Sequence, residues 1–340
     1  MKNRKLSIVV LSLFFFCLCV VRADAQPIQL KFAGQNPPNH HSSLAMEEIA
    51  KEVAEKTDGR IQIKVYPANQ LGDYSLVYEE LIRGTIEMAA ISFPSQFDSR
   101  MDLIYVHGFA STYEHMAKVY DPDGWFFKKM DEFNSALGVK LLGMLLDGMV
   151  GMCTIKELRE PLNPNVDKGV LMRIPNMDVF KTSLEGAGFR TITIPFADVY
   201  QSMQTGVCDG DSGYAIAAAY TALGDAIKHY YCFNSHSECL GVMISASVWE
   251  KLSDDDKKVL QEAVNKQVLS AIKNAEANDN KYLDLMRERG IQVHTYTPEE
   301  LKPLNDAFIA TWGELDATKG EELMDEFERE MKKITEVTAE

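Results

Sequence analysis

KGVLMRIPNMDVFKTSLEGAGFRTITIPFADVYQSMQTGVCDGDSGY, residues 168–214, is the stretch whose reading decides the fold. Residues 168–175 are extended and end at Pro175. Helical spacing of apolar residues runs from about 179 to 188 and stops at Gly188. Residues 191–194 are strand-like, 196–205 are helical, and 206–210 form a turn before another helix over 214–223. Short strands alternating with helices predict a largely parallel sheet with helices packed on its faces.

Working outward, the N-terminal side repeats the pattern. Residues 28–32 and 61–65 alternate apolar and polar positions, as half-buried strands do. Helices are expected over 43–57 and 74–83, the second stopped by Gly84, and 87–92 reads as a third strand. Farther on, 139–144 is a strand candidate and 148–154 a crossing between lobes. Residues 230–233 and 240–245 are two apolar strands that return the chain. A continuous helix is predicted over 253–289, where Ser253 caps a first turn of Asp254, Asp255 and Asp256 placed against the positive end of the helix dipole. Residues 291–296 read as a short strand. Thr297-Pro298-Glu299-Glu300 opens another helix, and 321–338 is a charged helix expected on the surface.

The pattern predicts an α/β chain, and its length predicts two lobes joined by crossing hinge strands. The expected division is 26–150 plus 240–280 for the N-terminal lobe and 151–239 plus 290–325 for the C-terminal lobe. Residues 253–289 are the long C-terminal helix, and 326–340 form a terminal surface helix.

The first 25 residues read as a cleavable signal peptide: a basic start, an apolar run over 6–21, and Ala23-Asp24-Ala25 before Gln26. The expected location is the periplasm. The chain carries a net charge of −15, which repels nucleic acid and anionic lipid, so no nucleic-acid partner is expected and membrane association is peripheral and transient. Cys153, Cys208, Cys232 and Cys239 lie beyond the leader. A Cys232–Cys239 disulfide and a set of free buried thiols are both open, and no CxxC or HxxxH pairing suggests zinc. A monomer is expected, with a dimer left open.

Several segments together resemble the DctP-type solute-binding proteins of TRAP (tripartite ATP-independent periplasmic) transporters. They are Leu30-Lys31-Phe32-Ala33 with His41-Ser42-Ser43, then Lys64-Val65-Tyr66-Pro67-Ala68-Asn69-Gln70-Leu71-Gly72, then Leu81-Ile82-Arg83-Gly84-Thr85-Ile86-Glu87-Met88. Met172-Arg173-Ile174-Pro175, Gln204-Thr205-Gly206-Val207-Cys208-Asp209-Gly210 and Val248-Trp249-Glu250-Lys251-Leu252-Ser253 follow in the family order. The resemblance implies a two-lobed, type II periplasmic-binding-protein-like α/β fold with an interlobe cleft and a long C-terminal helix, 253–289, bridging both lobes from behind, and an extracytoplasmic receptor that closes on a small organic carboxylate. It also implies delivery to the membrane subunits of a TRAP permease, with no cofactor and no catalysis. By the same resemblance Arg173 clamps the ligand carboxylate. A guanidinium suits that role because it offers a rigid two-donor fork and stays protonated when desolvated. An internal salt bridge is the alternative reading of Arg173.

Two positions depart from the family pattern. Met152-Cys153 stands where a second arginine is common, and Asp211-Ser212-Gly213-Tyr214 replaces Gln-Glu-Asn-Pro. Losing those polar contacts favours a monocarboxylate with a less polar body. Further ligand-contact candidates are Tyr214, Gly213 and Cys153; Ser92 and Phe93 after the third strand; Phe196 and Tyr200 after Pro195; and Asp147 and Met149 before the crossing. Asn39, His41, Glu79 and His236 complete the set, and His40 beside them is a candidate for the same rim. No dedicated cluster of histidines and carboxylates is visible, so no metal site is predicted. A ligand-binding partner of a membrane sensor would share the pocket. A periplasmic thiol enzyme built on Cys153 would need an activating neighbour that the sequence does not supply.

Overall fold

The computed structural model describes residues 27–336; the signal-peptide reading lies outside them. The first half runs β1 (Ile28–Gly34), α1 (His41–Lys56), β2 (Ile61–Tyr66), α2 (Tyr74–Arg83), β3 (Met88–Ile91), α3 (Tyr113–Val119), α4 (Trp125–Ala136) and β4 (Val139–Thr154). A 3₁₀ turn, Ser99–Tyr105, follows β3. The middle runs β5 (Leu171–Ile174), α5 (Asp178–Gly186), β6 (Arg190–Thr193), α6 (Val199–Gln204), β7 (Gly210–Asp211), α7 (Ile216–Leu223) and β8 (His229–Ser245). The chain ends with α8 (Ala246–Trp249), α9 (Asp254–Glu288), β9 (Gln292–His294), α10 (Pro298–Ala310), α11 (Trp312–Lys319) and α12 (Glu321–Glu336).

Nine strands form a single sheet in the order β2-β1-β3-β8-β4-β7-β5-β6, with β9 added beside β8. Parallel pairs β1–β2 and β1–β3 build one end, and β5–β6 and β5–β7 build the other. The two ends are joined through β4 and β8, which run antiparallel along nearly their whole lengths. Both strands are continuous, whereas the sequence suggested separate pieces on either side of each crossing. Irregularities between Leu141 and Gly143, Leu146 and Gly148, and Val150 and Met152 interrupt the β4–β8 register. Such bulges bend and twist a ladder without ending it. This is how one strand pair serves both halves.

α9 lies behind the crossing. It packs on β4, on α1 from the first half, and on α7 and β9 from the second. Ser253 caps it as expected, its hydroxyl accepting from the Asp256 amide. Gly148 sits at φ +135°, where a Cβ would run into the Asp279 carboxylate of α9, so glycine is required on both counts. α12 is not simply a surface helix: Phe327 and Met331 are buried, and the Phe327 ring meets Phe109 and Trp312 edge-on. Its charged residues occupy the opposite face.

All four described cysteines are free and buried. Cys232 and Cys239 lie on the same strand, β8. Tyr231 and Cys239 pair with Met152 and Leu146 of β4, six positions apart, which keeps the two cysteines well beyond the roughly 7 Å that a disulfide spans.

Candidate functional site

Arg173 lies on β5, and its strand neighbour in register on β7 is Asp211. That register sets the guanidinium against the carboxylate. Arg173 Nη1 donates to Asp211 Oδ1 at 3.0 Å, and Nε donates to the Ile194 carbonyl at 2.8 Å. Both side chains are buried, at 1% and 0% exposure. Burial alone would lower the pKa of Arg173, but the Asp211 carboxylate outweighs it and the guanidinium is held more firmly protonated than usual. With Nε and Nη1 engaged, Nη2 is the remaining donor group of the fork.

Arg173 lines a narrow cavity between the two ends of the sheet. Tyr74, Tyr105, Pro175, Met177, Phe180 and Phe196 form its apolar wall, and Ser92, Glu238 and Gly213 complete the lining. The first half supplies Tyr74, Ser92 and Tyr105; the second supplies Arg173, Phe180 and Phe196. At the mouth, the Ala197 amide donates to the Asp73 carboxylate of the opposite half at 3.4 Å.

Opposite the cation lies an acid. Ser92 Oγ donates to Glu238 Oε1 at 2.7 Å, and Gln35 in turn donates to Ser92 Oγ at 2.9 Å. Burial pushes the Glu238 carboxyl well above the usual carboxylate range, against the opposing pull of Ser92 and Arg173. In its neutral form the group is a hydrogen-bond donor as well as an acceptor.

Of the sequence candidates, Arg173, Ser92, Phe196 and Gly213 line this cavity. Gly213 is there because space is short: a Cβ would stand 3.0 Å from Arg173 Nη1 and 3.5 Å from Pro175 Cδ. Tyr214 lies behind the wall. Its ring stacks on Phe196 at 4.4 Å and its hydroxyl donates to the Phe196 carbonyl at 3.0 Å. Cys153 is buried beside Asp211, its thiol directed at the Asp211 carbonyl. Burial pushes that thiol well above its ordinary pKa, the reverse of nucleophile activation.

The remaining candidates fall elsewhere. Phe93 is fully buried in the core, and its amide donates to the Tyr105 hydroxyl at 2.7 Å. His236 lies tilted against His107, ring centroids 4.4 Å apart, and packs edge-on to Phe180, one layer behind the cavity. Tyr200 is exposed and accepts from Gln204. Asn39 is exposed, and Glu79 pairs with Arg83 on the outside of α2. His40, His41, Asp147 and Met149 belong to the region where α1, β4 and α9 meet.

Sequence reasoning missed Glu238, Asp211 as the partner of Arg173, and the aromatic wall of Tyr74, Tyr105 and Phe180. Only strand register reveals the Asp211 pairing. Glu238 stands in the polar run Asn234-Ser235-His236-Ser237-Glu238, which imitates a loop in sequence.

The family described as bacterial extracellular solute-binding protein, family 7 (DctP) matches residues 32–318. The chain belongs to this DctP family. DctP-family proteins are binding proteins of transporters, not enzymes. A C4-dicarboxylate-binding periplasmic protein of Rhodobacter capsulatus is 26% identical over 82% of this chain and 84% of its own length. The sugar-acid-binding protein of Advenella mimigardefordensis in complex with galactonate superimposes with a TM-score of 0.83 at 18% identity, covering 91% of this chain and 99% of that one. A TRAP periplasmic solute-binding protein of Desulfovibrio salexigens with bound orotic acid gives 0.81 at 18% identity, covering 90% and 99%. The DctP fold thus accounts for both halves of the sheet and the helix behind them.

Proposed function

We propose that this DctP-family protein is a periplasmic receptor that captures a small organic monocarboxylate in the cavity at Arg173 and hands it to the membrane subunits of a TRAP permease. The observation that carries the reading is the buried, charged guanidinium whose Nε and Nη1 are already engaged and whose Nη2 is left for an anion. Closure of the two halves removes water from that contact and so strengthens it. Galactonate, orotate and C4-dicarboxylates, named with similar proteins, are all organic acids.

The preference for one carboxylate over two rests on charge. The cavity offers one guanidinium, and its opposite polar group is itself a carboxyl, Glu238. A second ligand carboxylate placed there would meet no second cation, only a carboxyl whose pKa burial raises. The six apolar residues of the wall suit a hydrocarbon or aromatic body.

The test is thermal unfolding of the mature protein, freed of bound ligand by unfolding and refolding, against aromatic and branched monoacids, 2-oxo acids, dicarboxylates and sugar acids. A ligand at 100 times its Kd stabilises by about 2.7 kcal/mol, a readily measured rise in Tm. A rise confined to monoacids supports the proposal. Equal rises with succinate overturn the monocarboxylate preference, equal rises with a sugar acid overturn the apolar-body reading, and no rise with any acid overturns the carboxylate reading.

A further inference from the structure

A second group of polar side chains is enclosed far from Arg173 in sequence, where the start of α1 meets β4 and α9. His40 and Asp147 are buried and His41 is half-buried. Asp147 Oδ1 stands 3.6 Å from His40 Nδ1 and 3.2 Å from His41 Nε2, and one ligand atom from each of the three residues lies within 4.8 Å of the others. Zinc–nitrogen and zinc–oxygen bonds of about 2.1 Å in a tetrahedron place neighbouring donors about 3.4 Å apart. The two observed separations straddle that value.

The hydrogen bonding is incomplete in the same place. His40 Nδ1 accepts from the Ser42 amide, at 3.3 Å, as the cap of α1. The Ser42 hydroxyl lies 2.8 Å from the same nitrogen, so a metal at His40 Nδ1 would take over the lone pair that Ser42 now uses. Asp147 Oδ1 and His40 Nε2 are buried without hydrogen-bond partners, as is Asp279 Oδ1 on α9 nearby. Asp147 is met by His41 in an ion pair and by the Asn36 side chain, and His40 faces the same carboxylate.

We infer that His40, His41 and Asp147 form a binding site for a zinc-class divalent cation at the hinge. Two imidazoles and a carboxylate are a donor set that suits such an ion. His41 Nδ1 lies 2.8 Å from the Asn278 side-chain amide. With that amide turned to present its oxygen, it accepts the N–H that a metal-bound imidazole must donate. A groove of about 670 Å³ between α1, β4 and α9 is lined by His41, Asp147 and Asn278, giving an entry path and room for a water as fourth ligand. The ion would tie the start of α1 to the strand that crosses between the two halves.

The experiment uses tag-free mature protein, stripped with chelator, dialysed against zinc and passed through gel filtration before metal analysis. Cobalt(II) absorption reports geometry on the same protein. The expected result is one zinc per chain, a tetrahedral cobalt spectrum, and at least a tenfold loss of zinc affinity in both His41→Ala and Asp147→Asn. Wild-type protein decides the matter even where a variant folds poorly. No stoichiometric zinc, or an octahedral cobalt spectrum like that of the free ion, overturns the proposal. The chain also brings His229 Nδ1 and His294 Nε2 within 3.3 Å of each other. Uptake abolished by His294→Ala and retained by His41→Ala would place the ion there and would equally overturn it.

Discussion

Arg173 and Asp211 stand side by side on neighbouring strands, their side chains joined at 3.0 Å with no exposure to solvent. The pair does two things at once. It offsets the desolvation of the guanidinium, and it holds Nη1 of a side chain that lines the cavity. An Arg173 without Asp211 would be a buried, uncompensated charge.

Asp211→Asn should therefore cost about 3–5 kcal/mol in the ligand-free protein, because it orphans a buried cation. The ligand-induced rise in Tm should grow in this variant, since the ligand carboxylate now supplies the missing countercharge. Differential scanning calorimetry with and without the tightest acid of the panel measures both. A smaller ligand-induced rise than in wild type would mean that Asp211 is needed to aim the fork, not only to neutralise it.

Gly213→Ala should leave the fold intact and weaken ligand binding by at least about tenfold, equivalent to about 1.4 kcal/mol. The added methyl meets Arg173 Nη1 at 3.0 Å, with Pro175 behind it, so the fork must shift. Far-ultraviolet circular dichroism and calorimetric titration separate the two effects. Unchanged affinity would show that Arg173 has slack in its seat.

Glu238 gives a pH dependence whose sign follows from its raised pKa. Below its unfolded value, about 4.3, the carboxyl is protonated in both states and costs nothing. As pH rises above that value the unfolded chain releases the proton while the folded chain retains it, so the group's contribution becomes progressively destabilising. Glu238→Gln keeps the shape and an acceptor for Ser92 without the ionisation. Its Tm should fall less than that of wild type between about pH 5 and pH 7.5, and it should be the more stable protein at the upper end. Parallel Tm profiles would show that Glu238 ionises without penalty.

Lys319 on α11 reaches Asp102 in the 3₁₀ turn after β3, at 2.8 Å, with both side chains buried. Burial still pushes the Asp102 carboxyl up to about 6. Lys319→Met alone should destabilise by about 3–5 kcal/mol, while Lys319→Met with Asp102→Leu should recover most of that loss, because the cost lies in the orphaned charge. Urea denaturation of the single and double variants checks this. A double variant no better than the single would place the cost in packing instead.

Much of this architecture is legible in the sequence because local signals agree with it. The expected helix 253–289 and the observed Asp254–Glu288 differ by one residue at each end, since Ser253 and Gly290 punctuate it. β1, β2, α2 and β5 follow their alternation, spacing and stops. The hinge is less legible. β8 passes through Asn234-Ser235-His236-Ser237-Glu238, and a polar run reads as a loop until its partners are known. Those partners are Tyr120 for Ser237, Ser92 for Glu238 and the His107 ring for His236. Each is more than 100 positions away. The same distance hides the meeting of His40 and His41 with Asp147. Phe93 and Tyr214 are ligand candidates only through the positions they match in the family pattern. Packing instead sends Phe93 into the core and Tyr214 behind Phe196.

The central claim is that the Arg173 guanidinium holds the ligand's carboxylate. The direct measurement is calorimetric titration of the tightest acid of the panel into wild type and into Arg173→Met/Asp211→Asn, a replacement that removes the cation without stranding its partner's charge. A lost charge-assisted hydrogen bond is worth about 1.5–3 kcal/mol, so the predicted result is binding about 10- to 100-fold weaker in a variant that still unfolds cooperatively. Binding within about twofold of wild type would contradict the account and move the search for the anion's partner away from Arg173.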